Sequence, residues 1–186
     1  MIKLNKARIA VVIGTNGNTK SQIEKEMGVE IGINSKTGEC EIKPNRESSN
    51  YDPLNVLKTE KIIQAINRGF NPKKAMNLSK DNYELEIFNL QSILGRSKKK
   101  IKRIKGRVIG RNGEMRRAIE RYGECYVSVF GKTIGIIADY ENLQIARKAI
   151  NMLISGTPHH TVLRFLENRF KEKKKERFRE LYKPEF

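Results

Sequence analysis

The chain has 186 residues and a formal net charge of +17, from 38 Lys and Arg against 21 Asp and Glu. That length fits one ordinary domain or two small ones, and so large a basic excess points to a polyanionic partner rather than to a surface of balanced ion pairs. The longest purely apolar run, Ile9–Ile13, is far too short to cross a bilayer and no signal peptide is legible, so a soluble, cytoplasmic protein is expected.

In chain order, Ile2–Leu4 reads as a short strand, and the segment up to Ile13 as a helix that breaks at Gly14-Thr15-Asn16-Gly17. Thr19–Met27 places Ile23 and Met27 on one helical face and stops at Gly28. Val29, Ile31 and Ile33 alternate as a half-buried strand, Ser35–Gly38 turns, and Glu39–Lys43 returns. Leu54, Leu57, Ile62, Ala65 and Ile66 give a long helix that ends before Gly69. Residues 71–82 form a polar connector, and Tyr83–Leu90 starts a second series with a strand. Ile101, Ile104 and Val108 line a basic amphipathic helix that breaks at Gly110-Arg111-Asn112-Gly113. Met115, Ala118, Ile119 and Tyr122 form the next helix face. Val127 and Val129 alternate, Phe130–Lys132 turns and Thr133–Ala138 returns. A closing helix carries Leu143, Ala146, Ala149, Ile150, Leu153 and Ile154 and stops near Gly156-Thr157-Pro158. From His159 a further helix bears the stripe Val162, Leu163, Leu166, Phe170, which fits core packing, and then the charged run Lys171–Arg179.

The two series are a repeat: Val12-Ile13-Gly14-Thr15-Asn16-Gly17 recurs 96 positions later as Val108-Ile109-Gly110-Arg111-Asn112-Gly113. Two copies of Gly-x-x-Gly at one place in one repeat carry far more information than a single copy. Glycines remove Cβ atoms, so a sugar–phosphate chain can approach the main chain, and the helix that restarts there offers unpaired N–H groups to an anion. Gly14–Ser21 nearly matches a nucleotide-binding P-loop, but Thr19 stands where that loop needs glycine and the second copy drops the Lys-Ser pair. Basic residues concentrate at the second loop, with nine between Arg96 and Arg111 and no acid among them. The candidate RNA-binding residues are therefore Gly110, Arg111, Asn112, Gly113, Arg107, Arg116, Arg117, Lys100 and Arg103, with Gly14, Thr15, Asn16, Gly17 and Lys20 as a weaker second set. Low aromatic content argues against readout by stacking. Cys40 and Cys125 read as reduced thiols, and His159-His160 lacks a third ligand or a carboxylate nest. No catalytic set, metal site or cofactor is expected.

The order of elements and the paired loops resemble a type I KH domain, twice over. The whole chain is similar to archaeal relatives of the partner-of-Nob-one and Krr-one (Dim-two-like) proteins, through Arg8–Gly14, Ile66-Asn67-Arg68-Gly69-Phe70-Asn71-Pro72, Gly106–Gly113 and Gly156-Thr157-Pro158-His159. The resemblance implies an α+β fold of two β-α-α-β-β-α units at 1–70 and 83–157 and a basic helix over 158–186; the short connector leads one to expect the units to pack together and their two sheets to combine into one. It also implies binding of single-stranded RNA near the 3′ end of small-subunit rRNA during ribosome biogenesis, with a Nob-one-type endonuclease and the α subunit of translation initiation factor two as partners. A general KH protein acting on mRNA, or in transcription or translation, is the competing expectation.

Overall fold

The structure is a computed structural model that describes residues 2–181. The first series folds as β1 (Ile2–Lys3), α1 (Lys6–Ile13), α2 (Asn18–Met27), β2 (Val29–Ile33), β3 (Glu39–Pro44) and α3 (Asn55–Asn67). After α4 (Pro72–Ala75), the second runs β4 (Tyr83–Asn89), α5 (Leu90–Leu94), α6 (Lys98–Ile109), α7 (Glu114–Tyr122), β5 (Tyr126–Phe130), β6 (Thr133–Asp139) and α8 (Tyr140–Ile154); α9 (His159–Leu181) follows. Local chemistry sets the boundaries. Asn5 and Ser97 accept N–H groups at the starts of α1 and α6, Asp139 does so for α8, and Gly28 ends α2 in the left-handed region.

Among the described residues the strands make two antiparallel sheets, ordered β1-β3-β2 and β4-β6-β5, so the α+β fold of two β-α-α-β-β-α units is observed, with the short α5 added in the second, and the sheets stay separate instead of combining into one. Period-two alternation turns Val29 and Ile31 of β2 toward their own helices. The middle strand β6 departs from it, because six of its seven residues are buried. Ile134, Ile136 and Ala138 enter the core under α6–α8, whereas Ile137 joins the core of the first unit.

The connector explains that second buried face. Sequence polarity suggested a plain link over 71–82; instead it folds as α4 and a single 3-10 turn, and buries Ala75 and Leu78 beside Phe70. A Cβ at Gly135 would lie 2.6 Å from the Phe70 ring, so glycine is what lets the ring lie on β6. Ser128 Oγ donates to the Arg68 carbonyl at 2.9 Å alongside. The units therefore share a seam of packed side chains.

The described part of the last helix also belongs to the second unit rather than standing apart. Val162 and Leu166 of α9 are fully buried, and Phe170 meets Tyr122 edge-on with centroids 5.8 Å apart. Further along, Lys173 is only 8% exposed, so its charge needs partners: it donates to Asn142 Oδ1 at 2.6 Å and lies 3.3 and 3.2 Å from Glu124 and Glu141.

Both cysteines are buried and free, and burial pushes the Cys40 thiol up to about 11 and Cys125 up to about 12. With the thiolate suppressed, neither should react with a disulfide reagent at pH 8 until the chain unfolds; rapid native-state labelling would contradict the packing. Phe70→Ala should cost about 3–5 kcal/mol in urea unfolding, because it opens a cavity against both units at once.

Candidate nucleic-acid interface

The two Gly loops have the same backbone. Gly14 and Gly110 take φ of 77° and 74°, Asn16 and Asn112 sit left-handed at 52° and 49°, and Gly17 and Gly113 follow at 79° and 78°. Asparagine tolerates that region better than other side-chain-bearing residues. The glycines do different work. A Cβ at Gly110 would come 2.7 Å from the Met115 nitrogen, and one at Gly14 would come 2.7 Å from that of Thr19, so the first glycine lets two helices meet. At Gly17 nothing stands within 4 Å, and at Gly113 only the end of the Arg117 side chain does, so the second glycine leaves room for something outside the chain. Both following helices start without a side-chain cap; their first N–H groups turn back to the loop, Asn18 to the Thr15 carbonyl and Glu114 to that of Arg111, and each helix start presents the positive end of its dipole to an anion.

An arginine fixes each loop to its unit. Arg8 Nε donates to the Ile66 carbonyl at 2.8 Å and its Nη2 to that of Phe70 at 2.7 Å. Arg107 Nε donates to Leu153 at 3.1 Å and its Nη2 to Thr157. In both cases the acceptors lie four residues apart across the end of the closing helix, around Gly69 and Gly156, which are also left-handed. Arg107, selected above as an RNA contact, thus spends two donors on holding α6 against α8.

The basic helix presents two opposite flanks. At 3.6 residues per turn, Lys100 and Arg103 share the Arg107 side, and both are exposed. Lys98, Lys102 and Lys105 lie about half a turn away. With Lys132 and the apolar side chains of Ile101 and Ile109 they line a cleft of about 450 Å³ against the β5–β6 turn. Lys105 Nζ donates to the Gly131 carbonyl at 3.0 Å, and no atom lies within 4 Å of a Cβ at Gly106, so one wall is open helix surface. Composition pointed to this helix but not to its lysine flank, because the phase matters only once the turn that faces it is placed. Arg111, Asn112, Arg116 and Arg117 stay exposed around the loop, with Arg116 3.8 Å from Glu120.

The sheet edge beside the loop is partly sealed. Glu120 Oε1 accepts the Val127 N–H at 3.0 Å, and 96 positions earlier Glu24 accepts that of Ile31 at 2.7 Å. The alternation that aims the Val127 N–H off the edge also aims the Val129 N–H and C=O outward, a donor–acceptor pair matching the edge of an unpaired base. In the first unit the positions matching Lys98, Lys102, Lys105 and Lys132 are Ile2, Lys6, Ile9 and Lys36, so two of the four lysines are replaced by isoleucine, and Lys20 is 3.7 Å from Glu24. Among the described residues no helix is long and apolar enough to span a membrane, and no three His, Cys, Asp or Glu side chains cluster as metal ligands.

Comparison with known proteins gives a consistent picture. Residues 84–171 match the family model for the second KH domain of PNO1, described as a eukaryotic type KH-domain, type I; the match extends into α9. A KH domain-containing protein of Methanocaldococcus jannaschii is 41% identical over 183 residues, which cover 98% of this chain and 78% of that protein. The pre-rRNA-processing protein PNO1 of Coccidioides immitis is 28% identical over 80% of this chain and 59% of its own length. Among solved structures, a chain of the a/eIF2alpha–aDim2p–rRNA complex from Pyrococcus horikoshii matches with TM-score 0.84 and 43% identity, over 92% of this chain and 93% of that one.

The two glycines of the second loop should separate in mutagenesis. Gly113→Ala should fold with a loss of about 1–2 kcal/mol from left-handed strain, whereas Gly110→Ala, which adds a clash with Met115, should lose more. Equal thermal destabilisation would mean that the loop does not divide its glycines this way.

Proposed function

This chain belongs to the PNO1/Dim2-like family of KH-domain proteins, and we propose that it is a non-catalytic ribosome-biogenesis factor that binds single-stranded rRNA of the small subunit, near its 3′ end, mainly through the second Gly loop. The observation that carries the reading is the uncapped start of α7 behind an open glycine, flanked by a lysine-lined cleft. A phosphate meets the positive end of α7 at the loop, Gly113 lets the strand approach, and the lysines neutralise the neighbouring phosphates. The next bases lie toward the apolar floor of the cleft, where the Val129 main chain reads an edge that a duplex would hide. Arg111, Asn112, Arg116 and Arg117 contact the strand, Lys100 and Arg103 attract it from the opposite flank, and Arg107 positions the loop.

The names of the relatives support the biological setting, one being a pre-rRNA-processing protein and another a chain crystallised with rRNA and a/eIF2alpha. By extension, the first unit, with Gly14, Thr15, Asn16, Gly17 and Lys20 in a nearly neutral surround, serves as a weaker RNA clamp or a protein-docking face. Partners on this reading are the α subunit of initiation factor two and a Nob-one-type endonuclease, whose cut at the rRNA 3′ end this chain assists without chemistry of its own. It needs no cofactor and acts in the cytoplasm.

Replacing Arg111 and Asn112 with Asp should weaken RNA binding by about 2–3 kcal/mol, on the order of a hundredfold in Kd, while the melting temperature holds. The same change at Thr15 and Asn16 should cost less, and equal losses would refute the division of labour. If roughly four phosphates are neutralised, log K should fall with log salt at a slope of about −3, and a flat response would remove the electrostatic basis. In cells, crosslinks should concentrate at the small-subunit rRNA 3′ end; a spread over mRNA would favour a general KH regulator instead.

A further inference from the structure

A second cleft, of about 940 Å³, opens on the other side of the second Gly loop, between α7 and α9. It begins at Gly110 and Arg111, so it is continuous with the loop but separate from the lysine cleft beside α6. Its floor is apolar, because Ala118 is small enough to leave a slot between the helices and Leu163 faces it from α9. The rim is cationic. Arg111 and Arg117 have no acidic partner among the described residues, and Arg121 lies over the Tyr122 ring, 5.5 Å from its centroid. Two of the three acids on the wall are already engaged: Glu120 with the Val127 N–H and Lys74, and Glu167 with the Tyr122 hydroxyl. With Lys74 paired to Glu120, the wall sets Arg111, Arg117 and Arg121 against Glu114 and Glu167, a carboxylate that a neutral hydroxyl leaves charged, so its net charge is positive by one. At the loop end of the same wall, His159 Nε2 is buried without a hydrogen-bond partner. A polar atom buried in that state is destabilising, so a turn of the imidazole that brings it to a ligand in the cleft gains affinity.

A flat heteroaromatic ring on the Ala118–Leu163 floor, an anion among three arginines and a polar ring edge near His159 are the parts of a nucleotide. We propose that this cleft is a second nucleotide subsite, which takes the base next to the stretch held by the Gly loop and directs the RNA strand over α7 toward α9. The proposal rests on the RNA-binding reading above and deepens it. The loop itself clamps about four nucleotides, so the subsite extends the footprint beyond them. It also gives a use to the Gly156-Thr157-Pro158-His159 corner: Thr157 receives Arg107 from one side while His159 faces the strand on the other.

The test uses the full chain with two fluorescent RNA pools of random sequence, four and eight nucleotides long, titrated at constant salt. Ala118→Trp fills the slot from a half-exposed position, His159→Ala removes the unpartnered ring, and Arg121→Glu reverses the exposed end of the rim. Each should weaken the eight-nucleotide pool at least tenfold and leave the four-nucleotide pool within twofold of the original protein. Unchanged binding of both pools in folded Arg121→Glu and His159→Ala would overturn the subsite, as would equal losses on both, since the effect would then pass through the loop. Failure of the unaltered protein to bind either pool would overturn the RNA-binding reading itself and the subsite with it.

Discussion

Each Gly loop depends on a charged side chain gripping the end of a helix. A closing helix exposes its last carbonyls, and their partial negative charge suits a guanidinium. Arg8 and Arg107 both donate there, to acceptors four residues apart, from the helix that leads into the loop. The loop is therefore referenced to the far side of its unit and not only to its neighbours in sequence. Burial lowers the Arg8 pKa, as expected for a guanidinium taken out of water, and its main-chain bonds compensate that desolvation. The same side chain lies 5.7 Å from the centroid of the Phe130 ring and so also touches the second unit.

The contact between units follows from the same corner of the chain. Once α3 has ended at Asn67 and the chain has turned at Gly69, the next side chain, Phe70, stays in the first core and also lies on β6. A sheet that would otherwise expose one face to water is covered, and a strand that would alternate becomes buried throughout. Because Ile137 contributes to the core of the first unit, relative movement of the two units would expose apolar surface. That cost holds both Gly loops in one fixed relation and gives a bound strand a defined path.

Charge then decides what each loop does. The backbones of the loops are nearly superimposable, so geometry alone does not distinguish them. The second stands between a lysine-lined cleft and an arginine-rimmed one, whereas the first has Lys20 already beside Glu24. Like charges crowded along α6 repel one another, a strain that a polyanion relieves and a neutral surround does not.

Much of this was legible in the sequence. Periodicity gave the strands and the longer helices of both units but not the short helices α4 and α5, and the 96-residue repeat identified the Gly loops and their equivalence, because those signals are local: a helical face or a turn is written within a few residues. The resemblance singled out Ile66–Pro72 and Gly156–His159 without saying why. The structure supplies the reason, since both are the helix ends that an arginine grips. The burial of the connector, the second face of β6 and the role of Arg107 rest on contacts between residues dozens of positions apart, which no local pattern encodes. Which flank of α6 faces a cleft was hidden for the same reason. The sequence by itself determined the two units, the loops and the basic character of the second. Only the tertiary structure decided which charges are free to meet a ligand and which already hold the fold, because a side chain's availability depends on what the rest of the chain brings beside it.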